Sequence, residues 1–124
     1  MKMISMDDSR PIFMQIAERI EDDIIEARLP EESQVPSTNQ FATFYQINPA
    51  TAAKGVNLLV DQGILYKKRG IGMFVSTGAR AQLVEKRKDQ FYEQYVVAMM
   101  REAEKLGISS EQLAEMIRTG RKGS

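Results

Sequence analysis

The 124-residue chain has no cysteine and no histidine. Without cysteine there are no disulfides, no thiolate metal sites and no thiol nucleophile, which suits a reducing compartment. Without histidine the chain lacks the commonest general base near neutral pH and the commonest metal ligand. Acid–base work would fall to carboxylates or lysines, and the Glu21-Asp22-Asp23 cluster has no glycine-rich pocket beside it in the sequence. Neither an enzyme nor a metal or organic cofactor is expected. No apolar run approaches the roughly 20 residues that span a bilayer, and Met1 to Arg10 lacks the basic-then-apolar layout of a signal peptide. The expectation is a soluble, cytoplasmic protein with no membrane partner.

An excess of charge of either sign is also missing, because 17 basic residues balance 17 acidic ones. Nucleic-acid binders usually carry a basic footprint. The balance is uneven along the chain, however. Residues 1–32 carry a net −5, residues 33–78 a net +3, and residues 79–124 a net +2. The middle segment holds Lys54, Lys67, Lys68 and Arg69 against Asp61 alone, so a local positive face is available.

The length suits one domain, or one domain with a short appendage. Pro11 can open a helix, and Phe13, Ile16, Ala17, Ile20, Ile24 and Ala27 recur at helical spacing, predicting a first helix from Pro11 to Arg28. Glu18, Glu21, Asp22 and Glu26 fall on its other face and read as a solvated polar surface rather than a metal site. Gln34-Val35-Pro36 suits a short extended piece, since a residue before proline is pushed toward β geometry. Ser37 is then the N-cap of a short second helix carrying Phe41, Ala42 and Tyr45. Asn48-Pro49 repeats that logic for a third helix, about 49–62, with Ala52, Val56, Leu59 and Val60 inward and Gly63 as its left-handed cap.

Ile64-Leu65-Tyr66 and Met73-Phe74-Val75 are β-prone runs around Lys67-Lys68-Arg69-Gly70-Ile71-Gly72, predicting a hairpin with a cationic tip. Beyond Gly78 a long helical pattern runs to Gly107. Ser109 to Gln112 then forms a capping-box sequence before a shorter stripe of Leu113, Met116 and Ile117. The tail from Thr119 to Ser124 is expected to be disordered.

The fold class is therefore α+β and mostly helical: a winged helix-turn-helix domain over 1–78, followed by a two-helix dimerisation region over 79–124. A helix fits the major groove of B-DNA and a wing reaches phosphates or the adjacent minor groove. The candidate DNA contacts on the third helix are Asn48, Ala50, Thr51 and Lys54. Ser37, Thr38 and Asn39, with backbone N–H groups at the starts of the second and third helices, offer phosphate donors. Lys67, Lys68 and Arg69 add charge on the wing, about 64–75, and Gly70 and Gly72 allow close approach to the sugar-phosphate rail. The apolar band of Val84, Phe91, Tyr92, Tyr95, Val96, Met99, Met100, Ala103 and Leu106, joined by Leu113, Met116 and Ile117, is too wide for one helix pair to bury and reads as a homodimer interface. Any small-molecule effector would bind between the C-terminal helices or between the domains.

Pro11-Ile12-Phe13 with Gln15-Ile16, Val35-Pro36-Ser37 with Ala42, Ile47-Asn48-Pro49 with Thr51, Leu59 through Gly63-Ile64, and Arg69-Gly70 with Gly72 and Phe74-Val75 occur in one order. In these pieces the stretch from Arg10 to Val75 resembles the DNA-binding domain of GntR-type bacterial regulators. The short C-terminal region, 46 residues from 79 to 124, resembles the YtrA-type subfamily, in which two C-terminal helices form the dimer interface. The resemblance implies a repressor of its own operon acting on a palindromic operator of double-stranded DNA. Asn39 stands where many relatives carry a DNA-contacting arginine, Ala50 and Ala53 stand at often polar positions, Gly55 weakens the third helix, and Ala27-Arg28 replaces the glycine that usually ends the first. The alternative is a winged-helix protein-interaction module without sequence-specific DNA binding, consistent with the zero net charge.

Overall fold

The computed structural model describes residues 9–123; Met1 to Asp8, which fall in the opening segment discussed above, and the final Ser124 lie outside the described residues. The chain divides into two compact units, the first reaching Val84 and the second beginning at Glu85.

In the first unit α1 spans Ile12–Ile25, and Ile16, Ala17, Ile20 and Ile24 form its buried stripe. The helix stops three residues short of the sequence expectation. Ala27 turns into the left-handed region (φ 62°), and the Arg28 and Leu29 N–H groups both donate to Asp23 O at 2.8 and 3.0 Å. The Arg28 guanidinium holds this turn by donating to Asp23 (2.8 Å) and Glu26 (2.6 Å). The acidic face of α1 is more engaged than a solvated surface would be: Glu18 pairs with Arg10, and Glu21 is buried.

Helix α2 covers Thr38–Tyr45 and α3 Pro49–Asp61. Between them Gln46 adopts a left-handed conformation (φ 55°), closing the turn of the helix-turn-helix. Helix α3 buries Ala52, Val56 and Leu59 and ends at Gly63 (φ 76°). Gly55 lies on the same buried side. A Cβ there would stand 2.6 Å from Phe13 O and 3.2 Å from Ile16 Cβ, so the missing side chain is what lets α1 and α3 approach.

Strands β1 (Leu65–Lys68) and β2 (Gly72–Val75) pair antiparallel, with Leu65 opposite Val75 and Lys68 opposite Gly72. The expected extended piece joins the other edge of β2: Gln34 bridges Phe74, Val35 N–H donates to Met73 O (2.9 Å), and Val75 N–H donates to Ser33 O (3.0 Å). The wing is thereby stitched to the segment that leads into α2. Ala79 and Leu83, at the start of α4 (Ala79–Phe91), belong to the same core as Ile16, Leu59 and Ile64.

The second unit departs from a continuous α-helix. After Phe91 the backbone widens into a π-helical segment, Tyr92–Val97, before α5 (Ala98–Lys105). Gly107 (φ 70°) ends α5, with Ile108 N–H donating back to Ala103 O (2.9 Å). Helix α6 (Ser110–Thr119) opens on the expected capping box: the Gln112 N–H donates to Ser109 Oγ (3.1 Å) and the Ser109 N–H to Gln112 Oε1 (2.8 Å). The tail expected to be disordered begins too early. Thr119 is helical, Gly120 caps the helix in the left-handed region (φ 66°), and Arg121 N–H donates to Thr119 Oγ1 (3.2 Å). No helix among the described residues is long and apolar enough to cross a membrane.

Candidate nucleic-acid interface

Caps determine how each helix start can meet a phosphate. At α2 the Gln40 N–H donates to Ser37 Oγ (3.1 Å) while the Ser37 N–H donates to Gln40 Oε1 (2.7 Å), a closed capping box. The Ser37 hydroxyl keeps its own proton as a donor. Thr38 and Asn39 follow with N–H groups and side chains that have no partner among the described residues. This helix start is open to an anion.

Helix α3 differs, contrary to expectation. Pro49 has no N–H, the Ala50 N–H donates to Asn48 Oδ1 (2.7 Å), and the Thr51 and Ala52 N–H groups donate to Asn48 O (3.0 and 3.1 Å). Its first-turn backbone donors are used internally, so any polar contact from this helix start falls to side chains. Ala50, Lys54, Asn57 and Asp61 are exposed at helical spacing, with Thr51 half-buried beside them. Asn57, absent from the sequence-based set, continues the outward strip one turn beyond Lys54; its spacing was the available signal. The Lys54 ammonium lies 4.1 Å from the centroid of the Phe13 ring, which orients its charge at the α1–α3 edge.

On the wing the three cations separate. Lys68 turns back over its own sheet, 4.5 Å from the Phe74 ring and 5.9 Å from Tyr66, whose rings stack at 5.8 Å. Lys67 and Arg69 are exposed and form no ion pair among the described residues. The two glycines also differ. Gly70 (φ 78°) occupies the third position of a turn closed by Ile71 N–H donating to Lys68 O (3.0 Å), with open space beside it. Gly72 does not offer a bare face to a sugar-phosphate rail, because a Cβ there would meet Gln34 Nε2 at 2.5 Å. Its missing side chain accommodates the protein's own Gln34.

Glu32 anchors the base of the wing. Thr77 Oγ1 donates to Glu32 Oε2 (2.6 Å) and the Tyr66 hydroxyl to Oε1. These bonds, Thr77 first, hold the Glu32 carboxyl below its usual range, and the same carboxylate pushes the Tyr66 phenol up.

The expected interface residues, of which Val84 ends the first unit and the others lie in the second, fall into three groups. Phe91, Tyr92, Tyr95, Met100, Leu106 and Ile117 are exposed, whereas Val84, Val96, Met99, Leu113 and Met116 are half-buried. Ala103 is already buried in the single chain and does not belong to the exposed face.

The profile of the family described as bacterial regulatory proteins, gntR family, matches residues 13–75. The chain is 30% identical over 118 residues to the HTH-type transcriptional repressor YtrA of Bacillus subtilis, covering 94% of this chain and 90% of that protein. Among solved structures, a transcriptional regulator of the GntR family from Bacteroides thetaiotaomicron superposes with a TM-score of 0.70 at 37% identity, over 87% of this chain and 94% of that one. The DNA-binding domain of AraR in complex with operator ORX1 superposes with a TM-score of 0.53 at 25% identity, over 61% of this chain and 93% of that one. With the family profile spanning the helix-turn-helix and wing, and full-length relatives of the same size, the chain belongs to the GntR family of bacterial regulatory proteins and is a DNA-binding transcriptional regulator.

Proposed function

We propose that the chain is a cytoplasmic repressor that binds a palindromic or near-palindromic operator as a homodimer. Helix α3 lies in the major groove, and the wing lies on the backbone or in the adjacent minor groove. The observation that carries the DNA-reading half is that each part of the winged unit keeps side-chain donors without a partner among the described residues: Thr38 and Asn39 at the start of α2, Thr51 and Asn57 on α3, and Lys67 and Arg69 on the wing. Phosphate contacts from α2 and the wing set position, and the side chains of α3 read base edges. The DNA-binding domain of AraR, which superposes on the winged unit and is seen in complex with an operator, supports operator binding by this unit. The repressor designation of YtrA supports the regulatory sign.

The homodimer rests on the second unit, where Phe91, Tyr92, Tyr95 and Met100 are 56, 55, 62 and 54% exposed. Aromatic and methionine surface of this extent marks an interface. A two-fold dimer matches a two-fold operator.

Fluorescence anisotropy on DNA from upstream of the protein's own gene tests the reading, paired with sedimentation of the free protein. The expected result is salt-dependent binding by a dimer, with Thr51→Ala and Lys54→Ala weakening affinity while the dimer persists. Unchanged affinity in those two variants would remove α3 from the interface, and a monomeric wild type would remove the dimer.

A further inference from the structure

Ile71 stands apart from every other side chain on the wing. It is 64% exposed, more than any other large apolar side chain among the described residues of the winged unit, and it follows the cationic Arg69-Gly70 turn. Its backbone is held on both sides: the Ile71 N–H donates to Lys68 O (3.0 Å), and Ile71 O accepts from Gln34 Nε2 (3.0 Å). The Gln34 amide that makes the second bond fills the space left by Gly72. The turn is therefore fixed by the segment leading into α2, and it offers the Ile71 side chain, not its backbone, to a ligand. A branched apolar group held in water at a rigid tip gains free energy only when something apolar covers it.

The surroundings select what covers it. Lys67 and Arg69, close to Ile71 along the hairpin, are exposed and carry charge that no acidic group among the described residues pairs with, so the surface that covers the tip combines apolar area with negative charge. The DNA minor groove has that form, with deoxyribose walls between phosphate rails. Its floor is obstructed by the guanine N2 amino group at G·C pairs and clear at A·T pairs, where the groove is also narrowest and most negative.

We propose that Ile71 is a specificity-determining residue that enters the minor groove beside the major-groove site of α3 and selects A·T-rich sequence there. The inference rests on the DNA-reading function proposed above. Lys67 and Arg69 supply phosphate attraction without sequence information, and Ile71 supplies the discrimination.

The test uses the full-length protein on its upstream DNA, prepared normally and with every adenine replaced by 2,6-diaminopurine, which adds the guanine-like amino group to the minor groove and leaves the major-groove N7 acceptor and N6 donor. Wild type is expected to bind the diaminopurine fragment several-fold more weakly than normal DNA. Ile71→Ala is expected to lose that preference and to bind normal DNA about ten-fold more weakly, with its salt dependence unchanged. Arg69→Ala is expected to lower the salt dependence and keep the preference for normal DNA. An Ile71→Ala protein that melts like wild type, binds as tightly and keeps the preference overturns the role of Ile71 while leaving DNA reading intact. A wild type that binds no upstream fragment overturns both.

Discussion

Ala27 holds a left-handed backbone conformation (φ 62°) that a residue with a Cβ adopts at a cost of about 1–2 kcal/mol. Its side chain is exposed, so nothing is lost when it is removed. Ala27→Gly is expected to stabilise the protein by about 1 kcal/mol, raising the melting midpoint by several degrees in calorimetry. Gly55 has the opposite sign. By helix propensity, alanine there gains up to ~1 kcal/mol, but the added Cβ would stand 2.6 Å from the Phe13 carbonyl oxygen. Overpacking outweighs propensity, and Gly55→Ala is expected to cost about 1–3 kcal/mol in chemical denaturation. Gly55 stood out in the sequence as a weak helix former and Ala27 as a departure from the family's usual glycine, but the sign at Gly55 needed the facing helix. Glu32 had no such signal, because Tyr66 and Thr77 reach it from 34 and 45 residues away. Its lowered carboxyl contributes stability above its unfolded value, and this is lost as pH falls through the lower folded value. In melts taken from neutral pH into the carboxylate range, Thr77→Val with Tyr66→Phe is expected to flatten the acid-side decline, by a modest amount because Glu32 is exposed.

At the scale of elements, caps and turns were the most legible features, because they are local. Ser37, Asn48 and Ser109 each cap the helix predicted for them, and Gly63 and Gly107 end theirs. The π-helical segment Tyr92–Val97 was not legible. Widening the helix by one residue leaves an amphipathic pattern that still reads as helical, and the choice between α and π ladders depends on packing. The wing divides along the same line. Its basic tip was evident from sequence, but Lys68 settles over Phe74 through cross-strand pairing, leaving Lys67 and Arg69 outward. Removing Lys67 or Arg69 is therefore expected to reduce the slope of log affinity against log salt by about 0.9 each, and removing Lys68 by less. Anisotropy titrations across a salt series check this.

For the whole molecule, the exposed aromatic and methionine surface of the second unit carries the dimer proposal. Tyr95 is 62% exposed in the single chain and lies 5.5 Å, ring to ring, from Phe91. Tyr95→Asp places a charge that would be costly to bury in an interface. It is expected to shift sedimentation from dimer to monomer and to weaken operator binding by at least ten-fold, while the winged unit keeps its far-ultraviolet signature. The sequence alone determined the order of helices, turn and hairpin, and with it the family. Caps, apolar periodicity and turn glycines act within a few residues and do not need the rest of the chain. The tertiary structure decided which donors remain for DNA. Gln34 takes the space beside Gly72 and an aromatic pair holds Lys68, leaving Lys67 and Arg69 as the outward donors of the wing. The physical reason is that a side chain's availability depends on what packs against it from distant parts of the chain, and no local pattern encodes that.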